Sequence, residues 1–286
     1  MRLLMTPVSV STAKKRERLL SVVAESSRIA GRFLAARRAA VGLDDYPGPF
    51  PATLDEAYAI QDEAIAAWGR PVVGWKVGRV PPPLIERFGT DRLAGPVFAQ
   101  ARARTNGGAA EMPVFAEGFA AGEAEFLLRI GDSPPAGKSD YSLADAAGLI
   151  GAVHAGIEIA SSPLGRINEL GPIAVISDFG NNNGLVVGAE IPAWRESCFE
   201  TWDVVTLIDG EEVGTGRATG FPDGAIGAAC FLFELMARRG IALSPGQWIS
   251  SGAITGVHPA RPGQTVEARF HDRLVLTCKL VAARPE

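Results

Sequence analysis

Cysteine is scarce in this chain: Cys198, Cys230 and Cys278 stand far apart and are odd in number. That pattern argues against a disulfide framework or a thiolate metal site, and it fits a reducing cytoplasm. Long apolar runs are also missing. None reaches the ~18 residues that a membrane-spanning helix needs, and no apolar h-region precedes the N-terminal charges as a secretory signal requires. A strong net charge is absent as well: 28 Lys and Arg face 32 Asp and Glu, a formal −4. There is therefore no polyanion-binding footprint, and neither nucleic acid nor membrane is expected as a partner. Internal repeats and low-complexity segments are lacking. What remains is a globular chain of 286 residues whose 47% hydrophobic content is ample for a core.

The charge that is present is uneven. Residues 1–41 carry nine Lys and Arg against two Glu. This basic head has the composition of a transit peptide, but Leu19, Leu20, Val23, Ile29, Phe33 and Leu34 also recur at helical spacing over 16–38. The plainer reading is a tail followed by an amphipathic helix with its cationic face in solvent. A turn-rich link over 42–51 leads to Thr53-Leu54-Asp55-Glu56, a capping box opening a helix that Gly69 closes. Residues 1–70 are thus expected as a helical segment.

From Val72 the pattern changes to short strands separated by Gly, Pro and Asn, at 72–77, 124–130, 156–160, 185–187, 204–208, 248–250, 266–270 and 275–281. Asp209-Gly210 suits a tight hairpin between 204–208 and 211–216, since both residues tolerate positive φ. Two helices interrupt the strands, one over 143–153 capped by Ser142 and one over 225–239 ended by Gly240. The class is α+β, with residues 71–286 forming a β-rich domain.

Within this frame Glu123 and Glu125 sit two apart in an apolar run, so in a strand both carboxylates leave the same face. Like charges so placed repel unless a cation or donor neutralises them, and no Lys or Arg alternates with them. Glu158 lies between Ile157 and Ile159, where an ionised carboxylate is costly without a partner. Each Glu alone reads as a solvated strand position. Together they are three oxygen donors without imidazole or thiolate, a set suited to Mg²⁺ or Mn²⁺ with positions left for water and substrate.

Lys76 stands in an apolar strand between Gly74 and Gly78, glycines that let a ligand approach. It reads either as a snorkelling surface lysine or, if buried, as an amine that stabilises an enolate with its pKa lowered by desolvation. His154 is a reserve candidate for proton transfer, with a satisfied histidine at a helix end as the simpler role. Asp178 with Asn181–Asn183, and Ser250-Ser251-Gly252-Ala253, are polar loops whose ordinary use is to form turns.

The motifs occur in a telling order: Val-Val-Gly-Trp-Lys-Val-Gly at 72, Glu-Ala-Glu at 123, Gly-Ile-Glu-Ile at 156, Ser-Asp-Phe-Gly-Asn-Asn-Asn-Gly at 177, Gly-Arg at 216 and Ser-Gly-Ala at 251. In this order, over most of 54–282, the chain resembles the 2-keto-4-pentenoate hydratase and 2-oxohept-3-ene-1,7-dioate hydratase family of the fumarylacetoacetate hydrolase superfamily. The resemblance implies a mixed β-sandwich or β-roll catalytic domain behind the helical segment, assembled as a homo-oligomer. It implies Mg²⁺ or Mn²⁺ on Glu123, Glu125 and Glu158, chelated by the carboxylate and 2-keto oxygen of a small 2-oxo or 2-hydroxydienoic acid. Lys76 matches the lysine of the hydratase branch. Where hydrolases of the superfamily place a lysine, about twenty residues past the third acidic ligand, this chain offers Asp178 as a further catalytic candidate. Gly78, Ser251 and Gly252 fall at substrate-binding positions.

The implied reaction is hydration of a 2-hydroxy-2,4-dienoate to a 4-hydroxy-2-oxo acid, in the catabolism of aromatic meta-cleavage products. The alternatives are decarboxylation of 2-oxohex-3-ene-1,6-dioate, as in 4-oxalocrotonate decarboxylase, and a catalytically silent partner subunit. Three departures fall in the shell around the substrate: Ala121 replaces a basic residue, Phe179 follows Asp178 where the family has Asn, and Asp223-Gly224-Ala225 replaces Gly-His-Pro.

Overall fold

The computed structural model describes the backbone of residues 7–102 and 109–286 and the side chains of 23–99 and 109–286. Two N-terminal helices, α1 (Pro7–Ala39) and α2 (Leu54–Trp68), precede the first strand. Thr53 caps α2 by accepting from the Glu56 amide, and Gly69 ends it at φ +66°. The chain continues as β1 (Gly74–Arg79), α3 (Pro82–Phe88), β2 (Arg92–Val97), β3 (Gln100–Arg102), β4 (Ala110–Val114), β5 (Phe119–Ile130), α4 (Leu143–Leu149) and β6 (Ile150–Ser162). It closes with α5 (Ile167–Leu170), α6 (Pro172–Ser177), β7 (Asn182–Glu190), β8 (Val204–Ile208), β9 (Glu211–Gly216), α7 (Gly224–Arg239), β10 (Trp248–Ser250), β11 (Thr265–Phe270) and β12 (Leu274–Ala282). No helix among the described residues is long and apolar enough to cross a membrane.

The strands form two mixed sheets, ordered β2-β1-β10-β5-β6-β7-β3 and β4-β12-β11-β8-β9. The sheets pack face to face, as expected of a sandwich. Gly122 lies so close to Val266 that a Cβ would sit 2.9 Å from that side chain. Phe126, two pairs of residues along the same face of β5, meets Phe199 edge-on at 4.8 Å and Phe270 at 5.3 Å. Alternation then sends Glu123, Glu125 and Leu127 to the opposite face. The β8–β9 hairpin turns at Asp209-Gly210, with φ of +52° and +86°, as that dipeptide predicts.

Some elements differ from those expected. The helix foreseen over 143–153 stops at Leu149, and Ile150 starts β6. Residues 150–153 are drawn into a long antiparallel ladder with β5, and pairing overrides the local helical pattern. β2 was not foreseen because Gly95 and Pro96 break its strand pattern. It lies at the sheet edge, where a proline costs no ladder bond on its open side.

The helix expected over 16–38 lies within α1, although the side chains of 16–22 fall outside the described residues. Its cationic face is not all solvated. Ile29, Phe33 and Leu34 pack with Ile60 of α2 and with Leu164, Ile167 and Phe179. Arg37, 6% exposed, reaches through this layer to grip Asp178 at 2.6 and 2.9 Å, while Ser162 Oγ donates to the same carboxylate at 2.5 Å. Lysine keeps the charge but not the two-pronged geometry. Arg37→Lys is therefore expected to cost about 1–2 kcal/mol of stability, measured as a lowered urea midpoint with an unchanged m-value.

Candidate metal centre and its cavity

The register of three strands builds the site. Glu123 on β5 lies directly opposite Glu158 on β6, and Glu125 follows on the same face. β10 separates β5 from β1 and pairs Ser250 with both Leu127 and Lys76, which brings the lysine to the carboxylates. One oxygen from each of Glu123, Glu125 and Glu158 lies within 4.8 Å of the others. All three residues are at most 4% exposed.

Two of the carboxylates are held in a way that leaves one oxygen free. Glu125 Oε2 accepts from Ser250 Oγ at 2.5 Å and from the Gly252 amide at 2.9 Å, while its Oε1 has no partner. Glu158 Oε1 accepts from Asn182 Nδ2 at 2.8 Å and lies 3.6 Å from Lys76 Nζ, while its Oε2 has no partner. Orphaned buried carboxylate oxygens are costly, and a hard divalent ion is the partner whose ligand chemistry they fit. Burial, followed by the field of Glu158, pushes the Glu123 carboxyl up to about 8. Burial, then Glu158 and Glu123, raise Glu125 well above the ordinary carboxylate range.

Lys76 is buried at 7% exposure. Burial pulls its pKa down, but Glu158, Glu123 and Glu125 outweigh that and the net direction is upward. The expected lowered value is thus reversed, and the amine is held as an ammonium.

Beside the carboxylates opens a cavity of about 420 Å³ whose walls include Lys76, Gly78, Glu123, Glu125, Asn181 and Gly252. Gly252 sits at φ +109°, a conformation that frees its amide to donate to Glu125. Ser251 is buried but is not among the cavity-lining residues, and its neighbour Ser250 supplies the side chain that reaches the centre. Asp178 does not join the cavity either, because Arg37 and Ser162 occupy its carboxylate. His154 lies on β6 rather than at a helix end, with Nδ1 3.0 Å from the Gly188 carbonyl and its ring edge-on to Trp248. Ala121 is fully buried two residues before Glu123, on the same strand face.

A larger cavity of about 840 Å³ lies elsewhere, between α7, α3 and the start of α4. Its Arg92 and Asp223 are bound to each other, and none of the three carboxylates lines it. Ser250, Asn181 and Asn182, which the sequence offers as turn-forming residues, prove to line or support the centre.

No protein-family model matches the chain. By sequence it is similar to 4-oxalocrotonate decarboxylase of Pseudomonas sp. (strain CF600), 26% identical over 112 residues. That match spans 38% of this chain and 41% of the relative. By structure it is similar to 4-oxalocrotonate decarboxylase from Pseudomonas putida G7, complexed with magnesium and adipate, with a TM-score of 0.76 at 21% identity over 91% of this chain and 97% of that one. Fumarylpyruvate hydrolase from Pseudomonas aeruginosa, in complex with Mn²⁺ and pyruvate, follows at a TM-score of 0.53 and 15% identity, over 74% and 89% of the two chains. A putative fumarylacetoacetate hydrolase family protein from Yersinia pestis CO92 has a TM-score of 0.52 at 15% identity, over 74% and 95%. The fold is therefore α+β of the fumarylacetoacetate hydrolase type.

Proposed function

We propose that this protein is a divalent-metal-dependent lyase acting on a small 2-oxo acid, with Glu123, Glu125 and Glu158 as the ligands of Mg²⁺ or Mn²⁺. The observation that carries the reading is the pair of unpartnered oxygens, Glu125 Oε1 and Glu158 Oε2, within a buried three-carboxylate cluster beside a cavity. A bound ion would draw electron density from the 2-oxo oxygen and make the conjugated chain a better electron acceptor. Ser250, Gly252 and Asn182 orient the ligating carboxylates by occupying their other oxygens. Lys76, kept protonated, presents Nζ–H to charge developing on the substrate and holds a proton for delivery to carbon. Gly78 and Gly252 leave the cavity wall without side chains, so a planar dienoate can lie close to the backbone.

Decarboxylation of a 2-oxohex-3-ene-1,6-dioate is the favoured reaction. It is supported by the two similar proteins named as 4-oxalocrotonate decarboxylases, one by sequence and one by fold. Hydration of a 2-hydroxy-2,4-dienoate is the second reading, favoured by the position of Lys76. Purified protein with Mg²⁺ is expected to release carbon dioxide from the diacid. Loss of the dienol's ultraviolet absorbance without carbon dioxide would instead establish hydration, and neither signal from metal-loaded protein would contradict the lyase assignment.

A further inference from the structure

The turn between α6 and β7 takes an unusual path. Phe179, Gly180 and Asn181 lie one after another in the left-handed region, at φ of +55°, +66° and +63°. Gly180 and Asn181 tolerate that region, but Phe179 persists there only where the surroundings force it. Here β2 presses on the turn, and a Cβ on Gly95 would lie 2.2 Å from the Phe179 carbonyl oxygen. The turn also rests on Lys76, whose Cδ would be 3.0 Å from a Cβ on Gly180.

This path delivers the Asn181 side chain to the cavity wall, 3% exposed. Its Nδ2 reaches Asn168, another cavity-lining residue, at 3.5 Å, while its Oδ1 is buried without a hydrogen-bond partner. An amide oxygen can only accept. A bound 2-oxo acid anion has no donor to offer it, whereas a hydroxyl does.

We propose that Asn181 is a positioning residue whose Oδ1 accepts a hydrogen bond from an O–H group held beside Lys76. The donor is the hydroxyl of the bound acid in its hydroxy or enol form, or a water carried next to it. The proposal rests on the reading of the cavity as a metal-bound 2-oxo acid site. Lys76 and Asn181 then flank that group as donor and acceptor.

Two variants test it. Asn181→Gly removes the amide yet suits a positive φ, and Asn181→Asp keeps an acceptor on a residue that tolerates the same backbone. Asn181→Gly is expected to keep its melting temperature and Mg²⁺ affinity while kcat falls about 10–100-fold, with Asn181→Asp retaining more activity than Asn181→Gly. Calorimetry on Mg²⁺-loaded protein with lactate and with pyruvate separates the two donors. A loss of affinity for lactate alone identifies the hydroxyl of the bound acid. Unchanged affinities with the loss confined to kcat identify water. Wild-type kcat and affinities in Asn181→Gly would overturn the proposal, as would a loss explained by failed Mg²⁺ binding or unfolding. Should the wild type bind Mg²⁺ but turn over neither substrate, the lyase reading alone falls. In that protein, unchanged affinities for both lactate and pyruvate in Asn181→Gly would overturn the role of Asn181 as well, because no turnover remains for a held water to serve.

Discussion

Replacing Glu125 by glutamine is expected to lower turnover on the order of 10³-fold or more while leaving the protein folded. Glutamine is isosteric, and its side-chain oxygen can still accept from Ser250 Oγ and the Gly252 amide, so the local packing and both donors are preserved. The negative charge is lost, and an amide nitrogen enters the cluster where an oxygen ligand is needed. Removing even a hydrogen-bond partner of a ligand typically costs about 10–100-fold, so removing a ligand costs more. In metal-free protein, at a pH high enough to ionise the cluster, the same change relieves repulsion among three buried carboxylates served by one lysine. Glu125→Gln is thus expected to melt above the wild type in chelator at that pH and to lose the rise in melting temperature that Mg²⁺ brings to the wild type. Unchanged turnover in Glu125→Gln, or an unchanged response to Mg²⁺, would contradict the ligand role.

The second large effect is on stability against pH. The Glu123 carboxyl is pushed up to about 8 in the folded chain, from an ordinary value of 4.5, and Glu125 is raised as well. A raised carboxyl pKa means that the native state binds more protons than the unfolded state between those values. Its contribution is therefore fully present below the unfolded pKa and is lost as pH rises through the folded one. Metal-free protein is expected to lose about 1.4 kcal/mol per pH unit for each such group over its titration range, a fall in melting temperature on the order of 10 °C between pH 5 and pH 8. Mg²⁺ binds the deprotonated carboxylates, so its affinity rises with pH and it offsets the loss. Glu123→Gln should flatten the metal-free profile. A profile in chelator that is level across this range would show that the carboxylates are not coupled as the structure has them.

The parts of this site legible in the sequence are those set by local geometry. Glu123 and Glu125 share a face because a strand alternates, and the hairpin at Asp209-Gly210 follows from the φ values those residues tolerate. Glu158 and Lys76 stood out as charges in apolar strands, and the ordered motifs tied them to the same centre. What the sequence did not disclose depends on pairing between distant segments. Ser250 reaches Glu125 because β10, late in the chain, inserts between β1 and β5. Asp178 looked available for chemistry, but Arg37 of the N-terminal helix takes its carboxylate. The stretch around Asn181 and Asn182 reads as an ordinary polar turn, and only the pressure of β2 and the stem of Lys76 shows what it carries. The end of α4 at Leu149 is a similar case, since the ladder with β5 decides where the helix stops.

The central claim is that three buried carboxylates form a metal centre, and calorimetric titration with Mg²⁺ and Mn²⁺ at pH 7 tests it most directly. One ion is expected to bind per chain with release of protons, since at least one carboxyl is protonated at that pH in the metal-free protein. Glu125→Gln is expected to abolish that binding. Wild-type protein that takes up neither ion, or a Glu125→Gln variant that binds as the wild type does, would contradict the account.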